Sequence, residues 1–116
     1  MLNKVFIEGR LVADPELRRT ASGKPVTTVR IACARNSDST DFFDVVAWNG
    51  SAENLCKFTK KGMRVIVDGR LNTREYEQDG KKRTATEIVA DKVHIIDRIE
   101  KKQERTEVSE DEELPF

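Results

Sequence analysis

The stretch from residue 41 to residue 49, DFFDVVAWN, constrains the fold of this chain more than any other. Its aromatic and β-branched residues, followed by Asn49-Gly50, predict a β-strand that ends at a turn. Successive side chains of a strand point to opposite faces. One face is wholly apolar and suits a core: Phe43, Val45 and Ala47. The other carries a carboxylate between two aromatic rings: Phe42, Asp44, Val46 and Trp48.

The second face is expected to meet solvent, because an unpaired buried charge such as Asp44 is costly. Two aromatic rings on a wet strand face indicate a platform for a flat ligand. The alternative is that both faces of the sheet are covered and that Asp44 is paired. Periodicity alone leaves these two interpretations open.

Four further segments show the pattern of strands. They are residues 4–12, 26–35, 63–77 and 81–90. The last two are joined by Asp79-Gly80, a strong hairpin signal. Residues 16–19 are interpreted as a polar connection, residues 36–40 as a short polar loop, and residues 93–96 as a last apolar segment.

One helix is predicted, over residues 51–61. Ser51 can cap its first N–H groups, Glu53 falls in its first turn, and Gly62 stops it. The sequence therefore predicts an all-β chain in which five strands carry one helix between the third and the fourth. That is the order of an oligonucleotide/oligosaccharide-binding (OB) barrel. Gly9 and Gly69 fit strands that bend to close a small barrel.

The formal net charge of zero hides an asymmetry. Residues 107–116 hold five acidic residues and no base, while the other 106 residues hold 21 bases and 16 acids. A body of +5 with an acidic segment of −5 indicates nucleic-acid binding plus a second, charge-sensitive function. We expect an OB domain over residues 1–99 and a linker with an acidic tip over residues 100–116. Residues 101–113 are almost wholly charged or polar and should be disordered, and the apolar Leu114-Pro115-Phe116 follow them.

Motifs of catalysis and of cofactor binding are missing from the sequence. It has no Gly-rich phosphate loop, no nucleophile elbow and a single histidine, His94. We therefore expect no enzyme activity, no cofactor and no metal. Cys33 and Cys56 lack metal-ligand spacing and are interpreted as small buried side chains in a reducing, cytoplasmic compartment. A secretory signal is not expected, because strand-like sequence follows Met1 directly.

The binding interpretation rests on aromatic residues interleaved with bases. The candidate stacking residues are Phe42, Trp48 and Tyr76. The bases around them are Arg35, Arg70, Arg74, Lys81, Lys82 and Arg83, with Lys4, Arg10 and Arg18 extending the path. Rings of this kind stack nucleobases of any sequence, and bases track phosphates. For each single Arg or Lys the alternative is a solvated surface charge.

Several short motifs resemble the bacterial-type single-stranded DNA-binding protein (SSB) family. They are Asn3-Lys4-Val5, Gly9-Arg10-Leu11, Asp14-Pro15-Glu16-Leu17-Arg18, residues 42–48, Lys61-Gly62, Gly69-Arg70-Leu71, Thr73-Arg74 and Thr86-Glu87-Ile88-Val89. The tip, Asp111-Glu112-Glu113-Leu114-Pro115-Phe116, is similar to the acidic, Pro-Phe-ending terminus of that family. The family is also a standard example of binding by base stacking.

That resemblance implies more than the residues themselves show. It implies a homotetramer that wraps single-stranded DNA and serves replication, recombination and repair. It places the stacking positions at Phe42, Trp48 and Tyr76. It places basic contacts among Lys4, Arg10, Arg18, Lys61, Arg74 and Arg83. It also implies that the tip docks on partner proteins, with Phe116 in an apolar pocket.

Three features depart from the family pattern. The loop over residues 36–40 and the linker after residue 100 are short, and Asp44 stands where a neutral or basic residue is usual. The short form would suit a phage, a mobile element or an accessory host copy. An OB adaptor for proteins and an RNA-binding regulator are the competing hypotheses. The tip argues against the RNA reading, and the aromatic and basic faces argue against a pure adaptor.

Overall fold

The computed structural model describes residues 1–97, and the predicted linker and acidic tip lie outside these residues. The elements in chain order are β1 (Val5–Leu11), β2 (Arg18–Arg19), β3 (Pro25–Asn36), β4 (Ser39–Trp48), α1 (Asn49–Phe58), β5 (Arg64–Gln78) and β6 (Lys81–Ile95). No helix within residues 1–97 is long and apolar enough to cross a membrane.

Five of the strands close into a barrel. The sheet order is β1-β5-β6-β4-β3-β2, and a second pairing between β1 and β3 joins its ends. All neighbours are antiparallel except β4 and β6, which run parallel. The two-residue β2 adds to the edge of β3. The predicted all-β OB barrel, with a helix between its third and fourth long strands, is confirmed.

The core is built from inward-facing β-branched side chains. Ile31, Val45, Val65 and Val67 are almost fully buried. Each occupies an alternate position of its strand, so the polar residues between them face outward. The helix α1 packs against β3, β4 and β6 and contributes Leu55 and its neighbour Ala52 to the same cluster. Burying a side chain of this size stabilises the fold by about 1.5–3 kcal/mol.

Phe43 corrects the predicted inward set of β4. Alternation places it beside Ile31 on the inner face, as expected. The ring is nevertheless 38% exposed, whereas Val45 and Ala47 are completely buried. The reason is that β4 pairs with β6 only at Val45 and Val46. Phe43 lies before that pairing begins, where the wall of the barrel opens.

The helix begins two residues and ends three residues earlier than predicted. It begins at Asn49, directly after Trp48, and no side chain caps its N-terminus, so Ser51 is not the cap. Asn49 takes a positive φ of 55°, which lets the strand turn straight into the helix. Consequently Glu53 is not in the first turn. The helix ends at Phe58, where the N–H and the hydroxyl of Thr59 both donate to the Leu55 carbonyl.

Three connections differ from the prediction. Residues 18–19 form β2 rather than a polar connection. The loop between β3 and β4 is a two-residue turn, because the Asn36 side chain accepts hydrogen bonds from the backbone N–H groups of Asp38 (2.8 Å) and Ser39 (3.0 Å). Residues 93–96 are not a separate segment, since β6 continues to Ile95 past a bulge opposite Asp68 and Gly69.

The two cysteines are free and half-buried. Burial, and then the charges of Asp41 and Glu8, raise the pKa of the Cys33 thiol. A raised pKa keeps Cys33 in the unreactive thiol form, in line with its predicted role as a small packing residue.

Gly69 and Gly9 mark the places where backbones approach most closely. A Cβ on Gly69 would overlap the carbonyl of Val89 on β6, and a Cβ on Gly9 would overlap Ile31 and the Ala32 carbonyl on β3. The lack of a side chain allows the approach of β1 to β3 at Gly9, where the barrel closes, and of β5 to β6 at Gly69, within the hairpin.

We expect Gly69→Ala to lower the free energy of unfolding by about 1–3 kcal/mol, because the backbone of β6 must shift to admit the methyl group. Gly50→Ala is the matched control. Nothing lies within 4 Å of a Cβ there, and α1 gains a better helix former. Urea unfolding of both variants measures the difference. Equal free energies of unfolding for the two variants would contradict the expectation that β6 leaves no room for a side chain at position 69.

Candidate nucleic-acid interface

The outward side of β3 and β4 forms a surface that we call the aromatic face. Residues directly opposite each other in an antiparallel pair share a face. Its members are the Cα partners Val26–Trp48, Thr28–Val46, Arg30–Asp44 and Ala32–Phe42. Phe42 is 49% exposed, Trp48 is 39% exposed, and Asp44 is exposed between them. The prediction that this face of the strand meets solvent is confirmed.

The aromatic face continues onto β6 and β5. Val46 pairs with Val89, and Val89 pairs with Arg70, so one row crosses from β4 to β5. Beyond Arg70, the outward positions of β5 are Asn72, Arg74 and Tyr76, opposite Glu87, Ala85 and Arg83. The three predicted stacking rings therefore lie on one continuous outer surface of the sheet, and Arg83 lies directly across from Tyr76.

Arg18 and Arg10 extend this surface at its other side. Arg18 pairs with Val26 in β2–β3, and its guanidinium donates to the Thr28 hydroxyl at 3.2 Å. That places Arg18 beside the strand position of Trp48. Arg10 pairs with Ala32, which in turn pairs with Phe42, so it lies two strands away from that ring.

Two predicted contacts lie outside the strands, one before β1 and one after α1. Lys4 precedes β1, at the end remote from Arg10, where its ammonium meets the Asp68 carboxylate at 2.5 Å. Lys61 lies after α1 with an exposed side chain, and its backbone N–H donates to Asp14 at 2.7 Å. Because Val5 pairs with Gly69, Lys4 lies next to Arg70 at the border of the aromatic face, whereas Lys61 lies in the connection between α1 and β5, outside the sheet.

Comparison with known proteins identifies the family. Residues 2–96 match the model of the single-strand binding protein family. The chain belongs to this family. It is 44% identical to the single-stranded DNA-binding protein of Oceanobacillus iheyensis and 42% identical to the single-stranded DNA-binding protein A of Bacillus subtilis. Both alignments cover 84% of this chain, but only 65% and 60% of those relatives. Single-stranded DNA-binding protein 2 of Streptococcus agalactiae is 36% identical over the full length of both chains.

Several bases of this family member are paired with carboxylates. Arg70 meets Asp91 at 3.0 Å and Arg74 meets Glu87 at 3.4 Å. The Arg74 guanidinium also lies 5.6 Å from the centre of the Tyr76 ring. Exposed ion pairs contribute little to stability. The Arg70–Asp91 pair is exposed on both sides, so a phosphate can replace Asp91 at small cost, whereas the Glu87 side chain is only 12% exposed and holds Arg74 beside the Tyr76 ring.

Arg35 is held by a two-pronged contact with Asp41 on the neighbouring strand. Its Nε and Nη2 donate to the carboxylate at 3.2 and 2.5 Å. This hydrogen bonding holds the pKa of Asp41 below its ordinary value and raises the pKa of Arg35. Both groups therefore remain charged at neutral pH. Arg35 is the predicted contact whose charge is most fully engaged by the protein itself.

Arg30 is the residue of this surface that sequence reasoning missed. Its guanidinium lies 5.1 Å from the centre of the Phe42 ring. Alternation alone places Arg30 on the polar side of its strand, where it is one surface base among many. Its position beside Phe42 and opposite Asp44 follows only from the register of β3 on β4.

Proposed function

We propose that this protein binds single-stranded DNA without sequence preference. The observation that carries the proposal is the placement of Phe42, Trp48 and Tyr76 on one outer surface of the barrel, interleaved with arginines. The proposal is further supported by the matched family and by its relatives, which are named as single-stranded DNA-binding proteins.

Base stacking and phosphate contacts contribute to the binding free energy in different ways. Every nucleobase has a π-face, so stacking on an exposed ring tolerates any sequence and contributes about 1–3 kcal/mol per base. Arg18, Arg70, Arg74 and Arg83 stand between or beside the rings, where the backbone of a stacked strand would run. Neutralising phosphates releases counterions, so the affinity should fall as salt rises.

Binding, rather than catalysis, is the proposed activity, with no cofactor or metal. A sequence-tolerant coat on exposed strands protects them during replication, recombination and repair in the bacterial cytosol. Residues 1–99 form the DNA-binding domain in this proposal. Residues 100–116 connect it to an acidic segment that recruits partner proteins through Asp111, Glu112, Glu113, Leu114, Pro115 and Phe116.

Self-association into a homotetramer is proposed as well. It is supported by the edge of β1, which pairs with β5 from Val5 to Arg10 but with β3 only at Arg10 and Leu11. One backbone edge before Arg10 thus has no strand partner within residues 1–97. Phe6, at that edge, is 64% exposed. An unpaired edge with an exposed apolar side chain is a template for another strand.

Titration with oligo-dT tests the DNA-binding proposal, because Trp48 is the only tryptophan and reports on the aromatic face alone. We expect its fluorescence to be quenched at low salt, with an affinity that falls as salt rises. A matched RNA oligomer is the comparison and should bind more weakly. Unchanged fluorescence in protein shown to be folded would contradict the proposed stacking, and equal or tighter RNA binding would favour the RNA hypothesis.

Deleting residues 107–116 should tighten DNA binding, most strongly at low salt. The −5 segment competes with DNA for the +5 body, and salt screens that competition. A full-length variant with the five acids replaced by their amides should behave like the deletion. Equal or weaker binding of both variants at every salt concentration would contradict the competition.

Phe116→Ala, in turn, should abolish capture of replication and repair proteins while DNA affinity stays unchanged.

Light scattering tests the oligomer. We expect a mass four times that of the 13.2 kDa chain. Phe6→Glu should reduce the mass by placing a charge at the β1 edge. The mass of a single chain for the unaltered protein would refute the tetramer, and an unaltered mass for the variant would exclude this edge as the interface.

A further inference from the structure

A pair of opposite charges lies in the middle of the aromatic face. Arg30 of β3 and Asp44 of β4 are direct Cα partners. The pair Ala32–Phe42 lies on one side of them and Thr28–Val46 on the other, with Trp48 one step further. Any strand stacked on both Phe42 and Trp48 must cross this pair. Asp44 by itself would repel the phosphates of that strand.

The Arg30 side chain leans toward Phe42. Its guanidinium lies over the ring at 5.1 Å from the centroid, in a cation–π contact. Within residues 1–97 Arg30 makes no ion pair, whereas Arg35, Arg70 and Arg74 are each paired with a carboxylate. Its charge is therefore held beside the ring by a weak contact.

The planar guanidinium occupies the place that a base would take on the ring. Stacking of a base on an aromatic side chain is stronger than an exposed cation–π contact, so a nucleotide can take the ring face from Arg30. The released side chain is long and exposed. It remains beside the nucleotide that displaced it, within reach of that nucleotide's phosphate.

We propose that Arg30 is a DNA-contact residue: it covers the Phe42 ring in the free protein, yields the ring to a base, and binds the phosphate of the same nucleotide. Its charge also offsets Asp44, so that DNA can cross the centre of the face. This inference rests on the proposed binding of single-stranded DNA and adds a residue and a step to it. Arg30 and Asp44 are therefore coupled: the change in DNA affinity on substituting either residue depends on whether the other is present.

The test is a double-mutant cycle read by Trp48 fluorescence with oligo-dT at several salt concentrations. Arg30→Ala should weaken binding about tenfold at low salt and reduce the slope of log affinity against log salt by about 0.7, the loss of one phosphate contact on a single strand. Arg30→Lys should keep that slope, because it keeps the charge. Asp44→Asn should tighten binding, and more so in the Arg30→Ala background, where the carboxylate is no longer offset.

Lys57→Ala is the matched control, since it also removes one positive charge but lies on α1. It should leave the slope unchanged. Thermal unfolding checks that each variant is folded. Equal or tighter binding of Arg30→Ala, or additive effects of the two substitutions, would overturn the inference. A wild-type protein and a Lys57→Ala variant that both fail to bind oligo-dT would instead refute the proposed function itself.

Discussion

The close approach of β1 to β3 is the constraint on which the rest of the structure depends. The two strands pair only at Arg10–Ala32 and Leu11–Ile31, yet this short contact turns an open sheet into a barrel. It is possible because Gly9 has no Cβ, and any side chain there would overlap β3. Closure gives every long strand an inside and an outside. Ile31 and Leu11 are then buried, and Ala32 and Arg10, one position along, are directed outward.

The same alternation places the aromatic rings on the outer surface of the barrel. Phe42, Trp48 and Tyr76 each keep between 38% and 49% of their surface exposed. The backbone position of Trp48 is fixed by the inward residues Val45 and Ala47 of the same strand, which are completely buried. The barrel thus keeps the three rings partly exposed on its outer surface instead of burying them in the core. A surface of this kind is pre-organised for stacking, which lowers the entropy cost of binding.

Much of this architecture was predictable from sequence. Alternating patterns, the Asp79-Gly80 turn and the bending glycines predicted the barrel, its helix and the outward direction of Phe42 and Trp48. The wrong predictions have different causes, one in strand pairing and one in the turn that begins the helix. Phe43 was expected in the core because its alternation is correct, and it is exposed because β4 meets β6 only further along. The helix was expected to begin at Ser51, but the turn at Asn49 needs no side-chain cap.

Arg30 shows the same limit at the candidate site. Its position on a polar strand face is visible in the sequence, but its neighbours Phe42 and Asp44 are known only once β3 is set in register with β4. The interpretation of Asp44 changes for the same reason. In the sequence it is the one awkward residue of the aromatic face, and in the structure it is the Cα partner of Arg30, whose guanidinium lies over the Phe42 ring. Lys61 illustrates the converse, since it is basic and family-like but lies in the connection between α1 and β5, outside the sheet.

The central claim is that single-stranded DNA lies across the outer surface of β3, β4, β5 and β6. Chemical-shift mapping of the labelled protein with oligo-dT tests it most directly. The account predicts that the largest shifts fall on Phe42, Tyr76 and the Trp48 indole, with α1 unaffected. Shifts concentrated on α1 and on the adjoining end of β6, with the three rings unchanged, would contradict it.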